Sequence, residues 1–399
     1  MFFALTGASF DGNAFAAESI EKGAKYAIID NAEYSGKSTI LVDDVLQSLQ
    51  ELANFHRKEM RTKLIAITGS NGKTTTKELL HAAISTHFRT LATHGNLNNH
   101  IGVPLTLLRL EPETEIGIIE MGANHPGEIA SLCQIAEPDY GLITNVGKAH
   151  LEGFGSLEGV KNAKGELYNY LKSKGTSFIN IDNPHLNDMI GNQEKLSYAF
   201  QQDAWCTALM NTTNRLVGLR WKSKNGGGYF MSHLRGSYNA ENLLAATCVA
   251  SSFSVPSDKI DKALSEYIPG NQRSEIREGK HNTLFLDMYN ANPSSMELAI
   301  RDFHNTTEKQ LLILGDMKEL GNTSYDSHAA ILSLVNKLGF DQVYLSGPEF
   351  YKHKGSHDFH FFKTTDSLQS WFKRNTPKGY SVFIKGSRSM QLERLTGLL

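Results

Sequence analysis

One short run constrains the fold of this chain more than any other: residues 64–76, which read Leu-Ile-Ala-Ile-Thr-Gly-Ser-Asn-Gly-Lys-Thr-Thr-Thr. Its apolar, β-branched start favours a buried strand, and the small polar residues 69–72 favour a tight turn. Lys73 then opens a stretch in which apolar residues recur at helical spacing. A strand, a turn and a helix in this order predict an α/β domain.

A helix N-terminus after such a turn presents free backbone N–H groups and the positive end of the helix dipole, so it favours an anion. Lys73 can reach the β- and γ-phosphates of a nucleotide, and the Thr74 hydroxyl can hold Mg²⁺. The common phosphate-loop pattern has a glycine where this chain has Ile67, and Gly69 gives a shorter turn instead. The alternative is a helix cap with a solvated lysine. The flanking strand and helix favour the phosphate loop, so we expect ATP or a close relative here.

Length and charge limit what else the chain can be. Its 399 residues predict two or three domains, and a net charge of −2 without charged runs indicates no nucleic-acid partner. No apolar run has membrane-spanning length and the start does not resemble a signal peptide, so we expect a cytoplasmic protein without membrane insertion. Cys133, Cys206 and Cys248 are too few and too scattered for a disulfide framework or a zinc site, and we predict buried thiols.

The order of patterns divides the chain into three regions. Residues 1 to about 45 predict a small α/β piece, followed by a helix from Val45 to about Met60. Residues 63 to about 268 alternate strands and helices, with buried strands expected at 116–119 and 140–144. From about residue 271, four apolar runs separated by helical stretches predict an open, doubly wound sheet.

Three polar residues in the middle region invite a chemical interpretation. Glu120 ends a buried strand, where nucleotide enzymes place a Mg²⁺ ligand, although a solvated glutamate is the alternative. His150 lies in a glycine-rich loop after strand 140–144, on the side of the sheet where ligands bind. The alternative is a structural histidine whose ring nitrogens are hydrogen-bonded within the protein. Lys164 lies on a helix, and from the pattern alone a solvated helix face is favoured.

The last region carries further polar turns. Asp287 ends a predicted strand, and the turn at 289–293 suits substrate or nucleotide recognition as well as a simple βα loop, in which Ser294 or Ser295 could cap the next helix. Residues 314–321 and 384–388 are glycine-containing segments that each follow a predicted strand. Their glycines could let the backbone approach a ligand closely, or could simply form turns.

In this order the motifs resemble those of the Mur ligases. The resemblance rests on residues 68–76, Glu120-Met-Gly-Ala, Asn145-Val-Gly-Lys-Ala-His150-Leu-Glu-Gly-Phe-Gly, Lys164-Gly-Glu166, Tyr289-Asn-Ala-Asn-Pro-Ser-Ser-Met and Leu314-Gly-Asp-Met-Lys-Glu-Leu-Gly, and it extends from residue 2 to near the end.

The resemblance implies a three-domain α/β architecture. We expect a truncated N-terminal UDP-sugar-binding domain with a linker helix at 1–60, since relatives have several dozen residues before the strand at Phe2. A central P-loop ATPase-like domain with a mostly parallel sheet is expected at 61–270. A C-terminal Rossmann-like domain is expected at 271–399.

The implied activity is that of an ATP-dependent ligase that activates a carboxylate as an acyl phosphate and joins it to an amine. The segments after His150 and Tyr289 point to the member that joins D-alanyl-D-alanine to UDP-N-acetylmuramoyl-tripeptide in peptidoglycan precursor synthesis. We expect a monomer that uses ATP and Mg²⁺, and closure of residues 271–399 over the central domain when ATP binds.

Three alternatives stay open at this point. The first is another Mur ligase or a folylpolyglutamate synthase-like ligase with a different amine. The second is a non-catalytic nucleotide-binding relative, suggested by the short N-terminus and by Tyr238, where the family usually has histidine. The third is a plain P-loop ATPase or kinase.

The resemblance also assigns roles to individual residues. The expected catalytic residues are Lys73, Glu120, His150 and Lys164. The expected metal ligands are Thr74 and Glu120, with His150 and a carbamylated Lys164 for a second Mg²⁺. The nucleotide is expected to contact Gly69, Ser70, Asn71, Gly72, Lys73, Thr74, Thr75, Asn239, Asn242, Arg273 and Asp287. The expected substrate-binding residues are Tyr289, Asn290 and Asn292.

Overall fold

Three parallel or mostly parallel sheets organise the chain in a computed structural model that describes residues 1–213, 216–270, 275–304 and 309–399. We call the regions built on them the N-terminal, central and C-terminal domains. The predicted boundaries at 60/61 and 270/271 stay predictions.

The N-terminal domain is small. Its parallel sheet has the order β1 (Phe2–Phe3), β4 (Ala27–Ile29), β5 (Thr39–Leu41), beside a short antiparallel pair, β2 (Thr6–Gly7) and β3 (Phe10–Asp11). Helix α1 (Ala16–Glu21) packs on β4, and α2 (Val45–Met60) leads into the central domain. The predicted helix 45–60 is confirmed, because Asp44 caps it and apolar residues at helical spacing bury one face.

The central domain is built on a nine-stranded sheet of order β14-β13-β12-β11-β10-β9-β6-β8-β7. Its strands are β6 (Lys63–Thr68), β7 (Thr90–Ala92), β8 (Ile116–Glu120), β9 (Tyr140–Ile143), β10 (Thr176–Asn180), β11 (Lys195–Ala199), β12 (Cys206–Thr213), β13 (Leu216–Ser223) and β14 (Gly226–Arg235). Among the described residues of this sheet, only β12, β13 and β14 pair antiparallel to one another, so the predicted mostly parallel sheet is confirmed.

The helices of the central domain cover both faces of this sheet. They are α3 (Lys73–Ile84), α4 (Gly102–Leu107), α5 (Glu128–Ala136), α6 (Leu151–Phe154), α7 (Leu157–Leu171), α8 (Pro184–Ile190), α9 (Tyr238–Ser252) and α10 (Ser257–Glu266). Helices α3 and α9 pack against each other on one face, and α5 and α7 pack on the other. Strand β6 lies between β8 and β9, buried on both faces, so its carboxyl end opens at the middle of one sheet edge.

The C-terminal domain has a six-stranded sheet of order β15-β16-β20-β17-β18-β19. Its strands are β15 (Glu275–Glu278), β16 (Thr283–Asp287), β17 (Gln310–Gly315), β18 (Gln342–Ser346), β19 (His360–Phe362) and β20 (Ser381–Lys385). Its helices are α11 (Pro293–His304), α12 (Ser324–Leu338), α13 (Pro348–Tyr351) and α14 (Thr365–Phe372). In the described part of this domain, only the edge strand β15 runs antiparallel, so the predicted doubly wound sheet is confirmed.

Two other expectations can be compared with the described residues. Cys133, Cys206 and Cys248 are free and buried, as predicted. None of the helices among the described residues has both the length and the apolar character needed to traverse a bilayer.

Candidate active site

A cleft of about 1000 Å³ lies between the carboxyl edge of the central sheet and the C-terminal domain. Its walls are drawn mainly from residues 70–75, 96–100, 120–124, 145–150, 208–210, 237–242 and 287–298. The predicted site residues that the structure describes all line it except Gly69 and Lys164. Arg273 lies outside the described residues.

The phosphate loop has the backbone that its glycines predict. Gly72 is the residue before α3 and has φ of +80°, and Gly69 has φ of +142°, a region that side chains rarely adopt. A Cβ on Gly69 would meet the Thr144 hydroxyl at 2.0 Å, and a Cβ on Gly72 would meet the Asn242 carboxamide at 2.4 Å. Glycine at both positions therefore lets two neighbouring loops close around the turn.

The loop after β9 braces the phosphate loop. The Thr144 hydroxyl donates to the Asn71 carbonyl at 2.6 Å, and the Asn71 N–H donates to Oδ1 of Asn145 at 3.0 Å. Ser70 exchanges hydrogen bonds with the backbone of Gly147 at 2.9 and 3.1 Å. Sequence reasoning did not single out Asn145, because side-chain bonds between distant loops leave no local pattern.

Lys73 bends back onto its own loop. Its Nζ donates to the carbonyl oxygens of Gly69 at 2.7 Å and Ser70 at 3.4 Å. These bonds hold the amine beside the first turn of α3, where Thr74 and Thr75 also line the cleft. The loop thus gathers a cation, hydroxyls and backbone N–H groups, which is the chemistry that binds phosphates.

Glu120 is almost wholly buried at the end of β8. Its Oε1 accepts a hydrogen bond from Nδ2 of Asn98 at 2.8 Å, and its N–H donates to the Thr93 hydroxyl at 2.9 Å. Its Oε2 has no hydrogen-bond partner in the described part of the chain. Asn98 was missed by sequence reasoning, although the asparagine-rich run after β7 was a usable signal, since polar residues after a strand lie at this same edge.

The unpartnered Oε2 of Glu120 indicates that these residues fit Mg²⁺. A buried carboxylate oxygen without a donor favours a cation, and together with the Thr74 hydroxyl it offers the oxygen ligands that Mg²⁺ prefers. Within the described ranges, no cluster of three or more His, Cys, Asp or Glu residues could hold a metal by itself. A few protein ligands supplemented by substrate phosphates are the usual arrangement for Mg²⁺, so the residues fit this ion.

Lys164 is buried on α7 behind the cleft wall. The pKa of its amine is lowered to about 7, mainly by burial and also by the charge of Lys73, while Glu128 and Glu166 oppose the shift. Its Nζ donates to the Ala123 carbonyl at 3.3 Å, and Ala123 lines the cleft. The sequence pattern favoured a solvated lysine, and the structure contradicts that interpretation because α7 packs this face against α5 and α6.

His150 is held in an unusual conformation at the start of α6. Its φ of +52° is left-handed, which is uncommon for a residue with a side chain. Its Nδ1 lies against Oε2 of Glu319, a residue of the C-terminal domain. The hydrogen bond from His150 is the main reason why the pKa of Glu319 is lowered.

Two asparagines of α9 form the wall beside the phosphate loop. Nδ2 of Asn242 donates to Oδ1 of Asn239 at 2.9 Å, and Oδ1 of Asn242 accepts from the Thr76 hydroxyl at 3.1 Å. These bonds tie α9 to α3. Of the two expected nucleotide-contacting residues, Asn242 is thus placed next to Gly72, and Asn239 lies beside Asn242 on α9.

The C-terminal domain supplies the opposite wall. Asp287 forms an ion pair with the buried Lys385, whose Nζ also donates to the Asn290 carbonyl at 3.1 Å. The ring of Tyr289 lies 5.5 Å below the guanidinium of Arg388. The carboxamide of Asn290 accepts from the N–H of Ala291, so this side chain also holds its own loop. Lys385 and Arg388 are additions to the expected set.

Asn292 connects the two walls. Its Oδ1 accepts from the Ser295 N–H at 2.9 Å, and the Ser295 hydroxyl accepts from the Asn292 N–H at 3.2 Å. Asn292 is thus the cap of α11 and Ser295 completes a capping box, whereas the predicted alternative, Ser294, does not cap this helix. Nδ2 of Asn292 donates to Oδ1 of Asn71 in the phosphate loop at 2.8 Å. The Ser294 hydroxyl instead accepts from the N–H of Lys148 at 3.0 Å. Both contacts join the C-terminal domain to loops of the central domain.

Comparisons with known protein families match most of the chain. Residues 67–250 match the Mur ligase middle domain, and residues 272–388 match the Mur ligase glutamate ligase domain. The chain is 33% identical to UDP-N-acetylmuramoyl-tripeptide–D-alanyl-D-alanine ligase of Bacillus subtilis, over 99% of this chain and 89% of that protein.

Solved structures give the same result. MurF from Acinetobacter baumannii superposes with a TM-score of 0.90 at 28% identity, covering 98% of this chain and 88% of that one. MurF ligase from Thermotoga maritima, solved in complex with ADP, superposes with a TM-score of 0.88 at 27% identity, covering 99% and 92%.

Proposed function

Because the chain belongs to the Mur ligase family, we propose that it is an ATP-dependent ligase that joins D-alanyl-D-alanine to UDP-N-acetylmuramoyl-tripeptide. One observation supports this most strongly: a phosphate loop, a buried carboxylate and the strand ends of a second domain face one cleft in a chain that aligns with such a ligase over nearly its whole length. The product is a peptidoglycan precursor, so the enzyme would act in cell-wall biogenesis.

ATP binding is assigned to the turn 69–75. The glycines let the backbone approach the phosphates, and the α3 N-terminus favours their negative charge. When the nucleotide binds, we expect Nζ of Lys73 to leave the Gly69 and Ser70 carbonyls and to pair with the β- and γ-phosphates. Asn239, Asn242 and Asp287 lie along the same cleft and are proposed as further nucleotide contacts, together with Arg273.

Mg²⁺ is assigned to oxygen ligands on the same side. Thr74 and Glu120 would hold one ion, and the unpartnered Oε2 of Glu120 supports this assignment. His150 and Lys164 would hold a second ion. Bound Mg²⁺ would offset negative charge on the transferring phosphoryl group.

Lys164 can contribute an oxygen ligand only after modification. A neutral amine adds CO₂ to give a carbamate, whose oxygens suit Mg²⁺, whereas a protonated amine does not react. A pKa of about 7 leaves a large neutral fraction at physiological pH. Carbamylation of Lys164 is therefore part of the proposal.

The proposed reaction has two steps. A carboxylate oxygen of the tripeptide attacks the γ-phosphorus of ATP, the bond to ADP breaks, and an acyl phosphate forms. The amine of D-alanyl-D-alanine then attacks the acyl carbon, the amide bond forms, and phosphate leaves with the former carboxylate oxygen. Lys73 stabilises charge in the first step, and the contacts of Asn292 and Ser294 hold the domains together so that water is excluded.

Tyr289, Asn290 and Asn292 are proposed to shape the substrate side of the cleft. All three line it, and the ion pair of Asp287 with the buried Lys385 fixes the loop on which they lie. A monomeric state and a cytoplasmic location stay predictions.

The test is ADP release from ATP in the presence of Mg²⁺, with substrates added singly and together. The proposal predicts release only when UDP-N-acetylmuramoyl-tripeptide and D-alanyl-D-alanine are both present, and the Lys73→Ala variant serves as the inactive control. Release with a different amino acid would favour a sibling ligase, and release without any amine would favour an ATPase. Nucleotide binding without release under any pairing would favour a non-catalytic relative.

A further inference from the structure

The loop of residues 316–321, which follows β17, faces the central domain. We propose that Glu319 of this loop is a positioning residue that orients the His150 imidazole as a metal ligand and that acts only when the two domains are closed. This inference rests on the proposed function, because it deepens the role given there to His150.

The contact between the two side chains leaves one ring nitrogen available. Oε2 of Glu319 lies against Nδ1 of His150, which leaves Nε2 as the ring nitrogen that Glu319 does not contact. A carboxylate on Nδ1 fixes the tautomer that carries its proton there, so the lone pair of Nε2 is available to a cation. His150 lines the cleft, so a metal bound there would be next to the nucleotide site.

The backbone around this contact is strained on both sides. Glu319 has φ of +62° and His150 has φ of +52°, and neither is a glycine. Left-handed conformations of such residues cost about 1–3 kcal/mol each and persist where the surroundings impose them. Two such residues in contact across a domain boundary indicate a specific function of the pair.

The loop that carries Glu319 is anchored firmly to the C-terminal domain. The N–H of Met317 donates to Nε2 of the buried His328 at 3.1 Å, and the N–H of Lys318 donates to the Ser387 hydroxyl at 3.1 Å. Asp316, also buried, accepts from the N–H groups of residues 349 and 350. The segment that precedes Glu319 is therefore fixed to the C-terminal domain.

A second bond fixes the position of this loop against α6. The N–H of Glu152 donates to the carbonyl of Glu319 at 3.2 Å, and Gly321, with φ of +51°, lies against the backbone of Glu152. His150 and Glu152 are thus both held by the C-terminal domain. When the domains separate, the imidazole loses its carboxylate partner, so the geometry couples the metal site to domain closure.

The test measures metal binding rather than turnover. Mn²⁺ replaces Mg²⁺ as a paramagnetic probe, and its binding in the presence of a non-hydrolysable ATP analogue is followed by electron paramagnetic resonance. Glu319→Ala is expected to weaken the second Mn²⁺ by about 10- to 100-fold, to reduce the nitrogen hyperfine coupling from His150, and to leave the first Mn²⁺ unchanged.

Two variants serve as controls. Glu319→Gln keeps an oxygen that accepts from Nδ1 and is expected to recover most of the affinity. Glu393→Ala removes an exposed glutamate of the same domain, far from α6 in the chain, and is expected to behave as wild type. Because Glu319 is also about half exposed, its replacement leaves the core intact.

The inference is overturned if Glu319→Ala binds both ions as wild type does, or if Glu319→Gln is as weak as Glu319→Ala. It is also overturned if the wild-type protein binds a single Mn²⁺, since His150 would then hold no metal. Failure of the proposed function is separate: it would appear as missing ADP release in a wild-type protein that still binds two Mn²⁺ ions.

Discussion

Lys164 has surroundings that differ sharply from those of an ordinary lysine. It is buried, its amine contacts one carbonyl and lies 5.2 Å above the ring of Phe154, and its pKa is lowered to about 7. Burial is the main cause, because a charged amine loses its hydration there. Such an environment lowers stability, which is typical of residues retained for chemistry.

This burial has a measurable effect on stability. The unfolded chain holds the proton of this lysine up to a pH near 10.5, whereas the folded chain releases it near 7. The unfolded state therefore binds more protons between these values, and the free energy of unfolding rises with pH across this window. Below pH 7, Lys164 is charged in both the folded and the unfolded chain, and the folded chain is destabilised by the full cost of burying the charged amine.

We accordingly predict that Lys164→Met raises the free energy of unfolding by a few kcal/mol below about pH 7, and that this gain shrinks as the pH approaches 10.5. Denaturant unfolding in bicarbonate-free, metal-free buffer measures it, with Lys161→Met on the same helix as the matched control. A gain that is independent of pH would contradict the shifted pKa.

The carbamate proposal gives a separate prediction. Removal of CO₂ and bicarbonate is expected to lower the ligase rate reversibly, because the unmodified amine offers no oxygen to Mg²⁺. Lys164→Ala should be nearly inactive whether or not bicarbonate is present. Measurement of the initial rate with and without added bicarbonate tests this, and equal rates in wild type would exclude a functional carbamate.

At the residue scale, the sequence predicted the groups that a local motif specifies. Lys73, Thr74 and Glu120 follow strands, and the carboxyl ends of parallel strands meet at one edge. Asn98, Asn145 and Glu319 were not predicted, because their roles depend on hydrogen bonds between loops far apart in the chain. The exposure of Lys164 was mispredicted from the pattern because charged residues on helices are usually solvated.

At the element scale, the start of α3 depends on two features at once. Gly72 adopts a left-handed conformation, and it also leaves room for Asn242, which ties α9 to α3 through Thr76. A helix N-terminus can bind phosphate only if its first turn is not blocked. The glycine therefore serves both the backbone and the packing of the neighbouring helix.

A pair of glycine variants separates these two effects. Gly72 and Gly127 both precede a helix with similar φ values, +80° and +87°, but a Cβ on Gly127 meets nothing within 4 Å. Gly127→Ala is expected to cost about 1–2 kcal/mol of stability from strain and to keep nucleotide affinity. Gly72→Ala should in addition weaken the binding of an ATP analogue by more than about tenfold, because the new Cβ would push against the Asn242 carboxamide beside the phosphate loop. A tenfold loss corresponds to about 1.4 kcal/mol.

Thermal unfolding and a nucleotide titration of the two variants measure these effects. Equal nucleotide affinity of both variants would show that Asn242 can move aside without consequence. That outcome would contradict the tight packing of α9 on the phosphate loop.

The elements themselves were largely predictable because apolar spacing sets them. The predicted helix 45–60 and the predicted strands 116–119 and 140–144 match the observed Val45–Met60, Ile116–Glu120 and Tyr140–Ile143 to within one residue. The prediction that Ser294 or Ser295 caps α11 was right only in part: Ser295 shares a capping box with Asn292, whereas Ser294 contacts the other domain, which no local pattern predicts.

At the scale of the whole molecule, the cleft exists because two domains meet. Asn292 and Ser294 cross the boundary at the phosphate loop and at Lys148, and Glu319 crosses it at α6. The sequence predicted the order of domains through its resemblance to a family. It could not predict their relative placement, because few residues determine it and they are distant in the chain.

These contacts predict how the closed form responds to mutation. Replacing both Asn292 and Ser294 with alanine removes two hydrogen bonds, about 2 kcal/mol in total, and shifts the closed-to-open ratio by about thirtyfold. Solution scattering with an ATP analogue bound is expected to show a larger radius of gyration for the double variant than for wild type. Ser333→Ala, on the exposed side of α12, is the control, and superposable profiles for all three proteins would contradict the role of these contacts.

We propose that the triphosphate on the turn around Lys73 activates the tripeptide carboxylate. The most direct measurement uses tripeptide substrate labelled with ¹⁸O in that carboxylate, with the released phosphate analysed by mass spectrometry. The account predicts one ¹⁸O atom in each phosphate, because the acyl phosphate passes an oxygen of the carboxylate to it. Unlabelled phosphate released together with the amide product would contradict the account.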